Sequence, residues 1–308
     1  MKPLSICAII RDEAPYIAEW IAFHRTVGVS RFFIYDDRST DNTLDICRMI
    51  SDGDIIIHPY EEGWHSPTYC GVRGRHRRRA VITAFRTQTF GLALPKAVRR
   101  TVTPQSCAYR HCDAHHKNDT FWCAFIDIDE YLFHDEIDCL PKFLESYENY
   151  SGVAVNWLIF GSNGHQIRPS GLTIENYTRR KTLGGPHRNH CGQTKHILRM
   201  DAPHNWGRYT PHSPNYEQGY GVNQQFIPTA KGFTDHPTDS GLRLHHYCHR
   251  SHAEKTTKVA NRVGWSTHSP LYRMHEFDCN DMLDESALIL AERVRADLQR
   301  HGLQPYHR

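Results

Sequence analysis

Short apolar runs alternate with amphipathic segments through the first half of the chain, a pattern that predicts alternating strands and helices. The apolar runs are typical of buried strands and cover residues 4–10, 31–35 and 54–58. A helix is expected to begin within residues 12–15, where acidic residues precede a proline, and a second helix to cover residues 42–50. Strand–helix–strand–helix–strand order within about 55 residues indicates right-handed βαβ units and a parallel sheet.

The pattern continues less regularly along the rest of the chain. Helices are predicted over residues 104–117 and 281–300, and strands over residues 121–126 and 152–160. The stretch 161–241 is rich in Gly, Pro, Asn and His, which predicts loops with short strands. We therefore predict an α/β fold: a Rossmann-like mixed sheet, mostly parallel, flanked by helices and followed by a helical C-terminal end.

Composition excludes some classes of protein. The chain has 308 residues, of which 39% are hydrophobic, and no apolar run approaches the length of a membrane span. The N-terminus has the pattern of a strand rather than of a signal peptide. Ten cysteines are scattered without a CxxC pair, which argues against a zinc ribbon. Together these features predict reduced cysteines and a cytoplasmic protein.

The net charge of +3 conceals an uneven distribution. Residues 63–112 contain ten basic residues and no acidic residue, so the remaining 27 basic residues face all 34 acidic residues elsewhere. This segment could attract an anionic donor, contact an anionic membrane surface through residues 73–100, bind nucleic acid or an acidic polysaccharide, or be a solvated basic surface. The arginine cluster within this segment, residues 73–79, has no interleaved Phe, Tyr or Trp, so we expect no specific nucleic-acid partner.

The strongest chemical signal is the sequence FIDIDEY at residues 125–131. Side chains alternate along a strand, so Asp127 and Asp129 are expected to project the same way at its carboxyl end. Two converging carboxylates provide half of an oxygen-rich site for Mg²⁺ or Mn²⁺. The alternative is a solvated acidic turn.

Polar clusters also follow the first two predicted strands, at residues 11–13 and 36–41. Because the carboxyl ends of parallel strands meet at one edge of a sheet, these clusters and the two aspartates are expected to lie together. Such an edge is typical of a nucleoside-diphosphate site. Capping of the following helix would explain one acid of the second cluster, but not three.

Three stretches of the chain resemble the family-2-like and family-92 glycosyltransferases. They are CAIIRDEAPYIAEWIAFHRTVGVSRFFIYDDRSTDNT, SCAYRHCDAHHKNDTFWCAFIDIDEYLF with NWLIFGSNGH, and LHHYCHRSHAEKTTKVANRVG. The resemblance covers residues 4–58 and 105–165 well and residues 243–264 less closely, while residues 63–104 depart from it as an insertion. It implies a GT-A fold over residues 1–265, with a C-terminal helical extension over residues 266–308. It also implies a nucleotide-sugar donor, a Mn²⁺ or Mg²⁺ ion held by a DxD motif, and inversion at the anomeric carbon.

The resemblance also implies roles for individual residues. Positions that line the nucleotide pocket are Arg11, Glu13, Asp37 and Ser39, with Asp127 of the DxD motif. Asp127 and Asp129 would hold the metal, and His246 would supply a third ligand, with neighbouring His245 as a competitor. A neutral imidazole can complete such a coordination shell.

An inverting transfer needs a general base that deprotonates the acceptor hydroxyl. Glu217 is our candidate, and Asp201, Asp235 and Asp239 are the other acids considered between residues 177 and 240. Aromatic residues that could stack on a sugar, or belong to the core, are Trp157, Phe160 and Trp206.

The function that this reading favours is transfer from a UDP-sugar, with UDP-galactose as the first guess, to a glycan or lipid-linked glycan hydroxyl. The protein would then be cytoplasmic, with possible peripheral contact with the membrane. Two alternatives are a DxD phosphohydrolase and a basic nucleic-acid-binding module. The phosphohydrolase is disfavoured because such enzymes usually carry the motif early in the chain, with Thr or Val where this chain has Tyr131.

Overall fold

A ten-stranded sheet forms the centre of the protein. The computed structural model describes residues 2–65, 103–183, 192–206, 211–229, 232–261 and 278–306, with only the backbone described at 259–261. The predicted insertion 63–104 and the basic stretch 73–100 lie almost entirely outside these residues. Within the described residues, no helix has the length and apolar character that a membrane crossing requires.

The predicted βαβ units of the first half are confirmed. They comprise β1 (Lys2–Ile10), α1 (Ile17–Thr26), β2 (Arg31–Asp36), α2 (Thr43–Ile50) and β3 (Ile55–His58). The first helix begins later than expected, because Asp12 adopts a left-handed φ of 53° and its side chain accepts a hydrogen bond from the Thr40 amide. That contact keeps the segment after β1 as a loop beside the loop that follows β2.

The central part of the chain also follows the sequence prediction closely. It contains α3 (Pro104–His116), β4 (Thr120–Phe125), β5 (Glu130–His134), α4 (Leu140–Leu144) and β6 (Gly152–Ile159). Thr103 fixes the start of α3, because its hydroxyl accepts a hydrogen bond from the Ser106 amide and Pro104 stands in the first turn.

Short elements dominate the next part, as predicted. They are α5 (Thr173–Asn176), β7 (Arg179–Arg180), β8 (Thr194–Arg199), β9 (His204–Asn205), β10 (Asn215–Tyr216), β11 (Gly221–Asn223) and β12 (Pro228–Thr229). The exception is β8, a six-residue strand in the middle of the sheet that the sequence pattern did not reveal. The remaining elements are β13 (Leu242–His246), α6 (His252–Asn261), β14 (Met282–Leu283) and α7 (Ala291–Arg300).

The prediction of one continuous helix over residues 281–300 was wrong in its first half. Met282 and Leu283 form β14, Ser286–Leu290 form a 3₁₀ turn, and the α-helix begins at Ala291. The cause is Asp284, whose carboxylate accepts hydrogen bonds from the Ser286 amide and hydroxyl and pairs with two arginines of distant strands. These contacts fix a loop where the apolar periodicity alone favours a helix.

The sheet has the strand order β12-β11-β6-β8-β4-β1-β2-β3, and β13 pairs with both β6 and β5. The strands β1, β2, β3, β4, β6, β11 and β13 run in one direction, while β5, β8 and β12 run in the other. The predicted fold class, a mixed and mostly parallel α/β sheet flanked by helices, is therefore confirmed.

Helices cover both faces of the sheet. In β1, Leu4, Ile6 and Ala8 face the larger core cluster, which also includes residues of α1, α2 and α7. Cys7 faces the opposite side, where α3 packs against the sheet in a second cluster. This alternation follows from the two-residue period of a strand.

The cysteines differ from expectation at one position. Cys107 of α3 is disulfide-bonded, whereas the other cysteines of the described residues are free thiols. The prediction of reduced cysteines was therefore wrong at Cys107.

Candidate active site at the carboxyl edge of the sheet

The ends of several strands bring the predicted site residues to one edge of the sheet. The parallel strands β1, β2, β4 and β13 end there, so the segments that follow them are neighbours. Because β8 runs antiparallel to β4, its first residues lie at the same edge, with His196 opposite Phe125. This edge therefore brings together the residues that follow β1, β2, β4 and β13 and the residues with which β8 begins.

The loops that follow β1 and β2 are joined by side-chain hydrogen bonds. Ser39 Oγ accepts from the Asp12 amide at 3.0 Å, and Asp12 Oδ1 accepts from the Thr40 amide at 2.6 Å. Arg38, in the loop after β2, adopts a left-handed φ of 64°. Non-glycine residues in this conformation recur at functional sites, where the surrounding contacts hold them in place.

The structure places the four predicted nucleotide-pocket residues of these loops in different settings. Arg11 is more than half exposed and lies 3.7 Å from the Asp12 carboxylate. Asp37 pairs with Arg38 at 3.0 Å, and the Ser39 hydroxyl is engaged with the neighbouring loop. Glu13 points instead towards Arg250, whose guanidinium lies 3.3 Å from its carboxylate.

Asp127 and Asp129 occupy the turn between β4 and β5 rather than the strand itself. Their arrangement therefore comes from a turn, closed by a hydrogen bond from the Glu130 amide to the Asp127 carbonyl at 3.0 Å, and not from strand alternation. The strand ends at Phe125, one residue earlier than expected.

Asp127 is paired with a buried lysine. Lys195 of β8 has no exposed side-chain surface, and its Nζ lies 2.9 Å from Asp127 Oδ1 and 3.6 Å from Glu130 Oε2. The carboxylate also accepts a hydrogen bond from the Gln105 side chain. Burial opposes ionisation of Asp127, but the charge and hydrogen bond of Lys195, together with His246, outweigh it and lower the pKa of that carboxyl.

Glu130 is a buried acid that contacts both Lys195 and Asp127. Its Oε1 accepts from the Trp157 indole at 2.6 Å and its Oε2 accepts from the Asp127 amide at 2.8 Å. Burial raises the pKa of Glu130 to about 7, while Lys195 acts in the opposite direction. Glu130 therefore fixes the turn and shares the lysine with Asp127.

Asp129 lies among cationic side chains that come from the far end of the chain. Its carboxylate pairs with Lys258 of α6 and lies 3.5 Å from His246 Nε2 at the end of β13. Burial opposes its ionisation, but Lys258, His246 and Arg250 together hold the pKa of Asp129 well below its usual range. Asp129 is thus ionised, and the neighbouring cationic side chains balance its negative charge.

Arg250 links this cluster to the loop after β1. It is buried, adopts a left-handed φ of 52°, and lies with its guanidinium 3.3 Å from the centre of the Tyr16 ring. The same guanidinium pairs with Glu13, although burial raises the pKa of that carboxyl overall. Arg250 therefore contacts Glu13 directly, and its charge also lowers the pKa of Asp129.

Of the two adjacent histidines, only His246 faces the acids. His245 is fully buried on the other side of β13, where its Nδ1 lies 3.2 Å from the Tyr247 hydroxyl and its ring contacts Phe133 and Phe160. His246 Nδ1 is buried and has no hydrogen-bond partner among the described residues. Because side chains alternate along β13, His246 contacts Asp129 and His245 does not.

The donor chemistry fits a Mg²⁺ or Mn²⁺ ion. Asp127 and Asp129 offer carboxylate oxygens, and His246 offers an imidazole nitrogen near Asp129. The described residues nevertheless contain no group of three or more acidic, histidine or cysteine side chains already arranged to hold a metal ion. Each aspartate is instead paired with a lysine.

Glu217 lies elsewhere. It is exposed, follows β10, and accepts a hydrogen bond from the Asn205 side chain at 2.9 Å. Asp201 pairs with Arg199 at 2.7 Å and Asp239 pairs with Arg180 at 2.8 Å. Asp235 is exposed. The structure therefore does not bring these acids into contact with Asp127 or Asp129.

The three aromatic residues considered for sugar stacking are buried. Trp157 and Phe160 belong to the larger core cluster, and Trp206 packs against Tyr109 and Phe125 in the smaller one. Their role as core residues, which the sequence also allowed, accounts for their positions.

Sequence reasoning missed Glu130, Lys195, Arg250 and Lys258. A signal existed for the first two, because Glu130 directly follows the DID sequence and Lys195 stands two residues before the apolar pair Ile197–Leu198. Arg250 and Lys258 lie within the third resembling stretch, but nothing in their local pattern indicates a contact with Asp129.

Comparison with known proteins identifies the family of this chain. Residues 2–201 match the family model for glycosyltransferase family 92, which is well over half of the chain. The chain belongs to glycosyltransferase family 92.

Curated family 92 relatives are distant and much longer. A family 92 protein from Oryza sativa subsp. japonica is 23% identical over 202 residues, which cover 65% of this chain and 27% of the relative. One from Arabidopsis thaliana is 24% identical over 175 residues, which cover 55% and 24%. The chain thus spans about a quarter of the length of the curated relatives it matches.

Solved structures resemble this family 92 chain only weakly. TarS of S. aureus has a TM-score of 0.31 and 16% identity, over 65% of this chain and 28% of that chain. Glucosyl-3-phosphoglycerate synthase from Mycobacterium tuberculosis, solved with Mn²⁺ and UDP, also has a TM-score of 0.31, with 12% identity over 67% and 61% of the two chains.

The family 92 match ends before part of the candidate site. Glu13, Asp127, Asp129 and Lys195 fall within residues 2–201. His246, Arg250 and Lys258 lie beyond it and reach Asp129 or Glu13 through β13 and α6. The site is therefore assembled from the matched region and the segment that follows it.

Proposed function

We propose that this protein is a glycosyltransferase that moves a sugar from a nucleoside-diphosphate sugar to a hydroxyl group. The observation that carries the proposal is the cluster at the carboxyl edge of the sheet, where Asp127 and Asp129 lie with Glu13, Arg250 and His246. Family membership supports the same reaction class. Ligands of open α/β sheets bind at this edge.

The donor diphosphate is proposed to bind beside the two aspartates, with Mn²⁺ or Mg²⁺ as cofactor. Asp127, Asp129 and His246 would hold the cation, which would act as a Lewis acid that offsets the charge developing on the leaving diphosphate. Arg250, held by Glu13 and by the Tyr16 ring, presents a fixed positive charge at the same place. Asp37 and Arg11, on the loops after β2 and β1, are proposed to contact the nucleoside.

The donor is proposed to be a UDP-sugar, tested with UDP-galactose first, and the acceptor a glycan or lipid-linked glycan. We further propose inversion at the anomeric carbon, with Glu217 as the base that takes the proton of the acceptor hydroxyl. Glu217 is exposed, which leaves it accessible to an acceptor. Glu217→Gln should then lower kcat with little change in donor binding, and unchanged kcat would remove Glu217 from the role.

A binding experiment tests the donor site without knowledge of the acceptor. Thermal unfolding is followed with a panel of UDP- and GDP-sugars, with UDP, with Mn²⁺ and with EDTA. A ligand at 100 times its Kd should stabilise the fold by about 2.7 kcal/mol, and EDTA should remove that stabilisation. Asp129→Asn should lose it while the unliganded variant still unfolds cooperatively.

Asp45→Asn is the matched control, because Asp45 is an exposed acid of α2 paired with Arg48. The control should respond to UDP and Mn²⁺ as the wild type does. Absence of metal-dependent stabilisation and of donor hydrolysis with every donor would overturn the proposal. Release of inorganic phosphate from simple phosphate esters would instead support the phosphohydrolase.

A further inference from the structure

Lys258 is the cation in direct contact with the second acid of the DxD motif. Its ammonium pairs with Asp129 Oδ2, on the carboxylate that the proposed function assigns to a divalent metal. The carboxylate side chain is almost fully buried, whereas the Lys258 side chain is about a quarter exposed. A metal that binds Asp129 through this oxygen must therefore displace the ammonium.

The two lysines of the site are held very differently. Lys195 extends from a central strand, has no exposed side-chain surface and bridges two acids. Lys258 extends from the second turn of α6 and has one acidic partner among the described residues. A lysine is a point charge on a flexible four-carbon stem, so Lys258 can change partner at little cost.

Contacts other than the Lys258–Asp129 pair anchor the start of α6. Arg250 is fixed by Glu13 and Tyr16, and Ser251 and Glu254 exchange hydrogen bonds that cap the first turn of the helix. These contacts keep α6, and with it Lys258, next to Asp129 whichever partner the ammonium takes.

Once displaced from Asp129, Lys258 can pair with the phosphate oxygens of the donor. A divalent cation takes over the neutralisation of Asp129, and a nucleoside diphosphate brings negative phosphate oxygens to the same edge. An ammonium released from Asp129 then lies beside those oxygens, where a charge-assisted hydrogen bond is available.

We propose that Lys258 exchanges partners during donor binding: it neutralises Asp129 in the empty site and passes to the donor diphosphate when a divalent cation occupies Asp129. The proposal rests on the proposed function, because it assumes a diphosphate at this edge. Lys258 is then both a competitor of the metal and a phosphate-binding residue.

The exchange predicts effects of opposite sign in one variant. Lys258→Met keeps the length of the side chain and removes its charge. Without the competing ammonium, Mn²⁺ should bind the nucleotide-free protein about tenfold more tightly, and UDP at saturating Mn²⁺ should bind about tenfold more weakly. Both constants are measured by isothermal titration calorimetry.

Two further variants complete the test. Lys255→Met changes a lysine of the same helix that has no ion pair among the described residues, and it should match the wild type in both titrations. Lys258→Arg keeps the charge and should restore most of the UDP affinity. Thermal unfolding of each variant checks that the fold is intact.

The outcomes separate this proposal from the proposed function. If wild type and Lys258→Met bind Mn²⁺ equally, or the variant binds UDP as tightly as the wild type, the exchange is overturned while the donor site stands. If the wild type binds Mn²⁺ but no nucleoside diphosphate, the proposed donor fails, and the phosphate half of the exchange fails with it.

Discussion

Removal of the charge of Lys195 should destabilise the protein strongly. Lys195 lies 2.9 Å from Asp127 and 3.6 Å from Glu130, and it has no exposed side-chain surface. At an effective dielectric constant of about 20, these separations correspond to attractions of roughly 6 and 5 kcal/mol, largely offset by desolvation of the three charges. Breaking a buried pair by removing one partner typically costs about 3–5 kcal/mol, and we expect that loss for Lys195→Met.

Urea unfolding followed by tryptophan fluorescence measures the loss at neutral pH. The double variant Lys195→Met/Glu130→Gln removes one of the stranded charges, so the coupling energy between the two changes should be about 1–3 kcal/mol. Lys142→Met, at an exposed lysine of α4, should stay within about 0.5 kcal/mol of the wild type. A loss below about 1 kcal/mol for Lys195→Met would show that Asp127 and Glu130 do not depend on this lysine.

Two other residues give independent predictions. Burial raises the pKa of Glu19 to about 7, so the folded state binds more protons than the unfolded state between about pH 4.5 and 7, and stability falls as pH rises through this window. Glu19→Gln cannot ionise, so its stability relative to the wild type should rise by about 2 kcal/mol between pH 5.5 and pH 8, as measured by urea unfolding. A difference that stays constant between the two pH values would contradict this. Trp157→Phe removes the hydrogen bond to Glu130 Oε1 and leaves a buried oxygen unsatisfied, so chemical denaturation should show a loss of about 2–3 kcal/mol; a loss below 1 kcal/mol would contradict it.

Local pattern was sufficient where the elements are apolar and continuous. The strands β1 and β2 are largely buried, β3 is partly buried, and all three read as almost unbroken apolar runs, which is why the βαβ units could be predicted. The strand β8 could not, because Lys195 and His196 interrupt its pattern, and Lys195 is tolerated inside the sheet only through acids that precede it by more than 60 residues.

The candidate site likewise contains residues that local pattern predicts and contacts that it does not. Asp127, Asp129 and the polar loops after β1 and β2 are local features of strand ends, so their shared edge follows from the parallel topology. The contacts of Asp129 with Lys258 and of Glu13 with Arg250 join residues more than 100 positions apart. Sequence pattern carries no information on such pairs, and Asp284 shows the same limit at the start of the C-terminal helix.

The position of β13 has a practical consequence for the production of fragments. Within the described residues, β5 pairs with β13 alone, and its Tyr131, Leu132 and Phe133 are fully buried. A protein cut at residue 201, where the family match ends, would lack β13 and leave β5 as an unpaired, strongly apolar strand with both edges bare. Such edges recruit strands from other molecules, so that fragment should aggregate rather than report on donor binding.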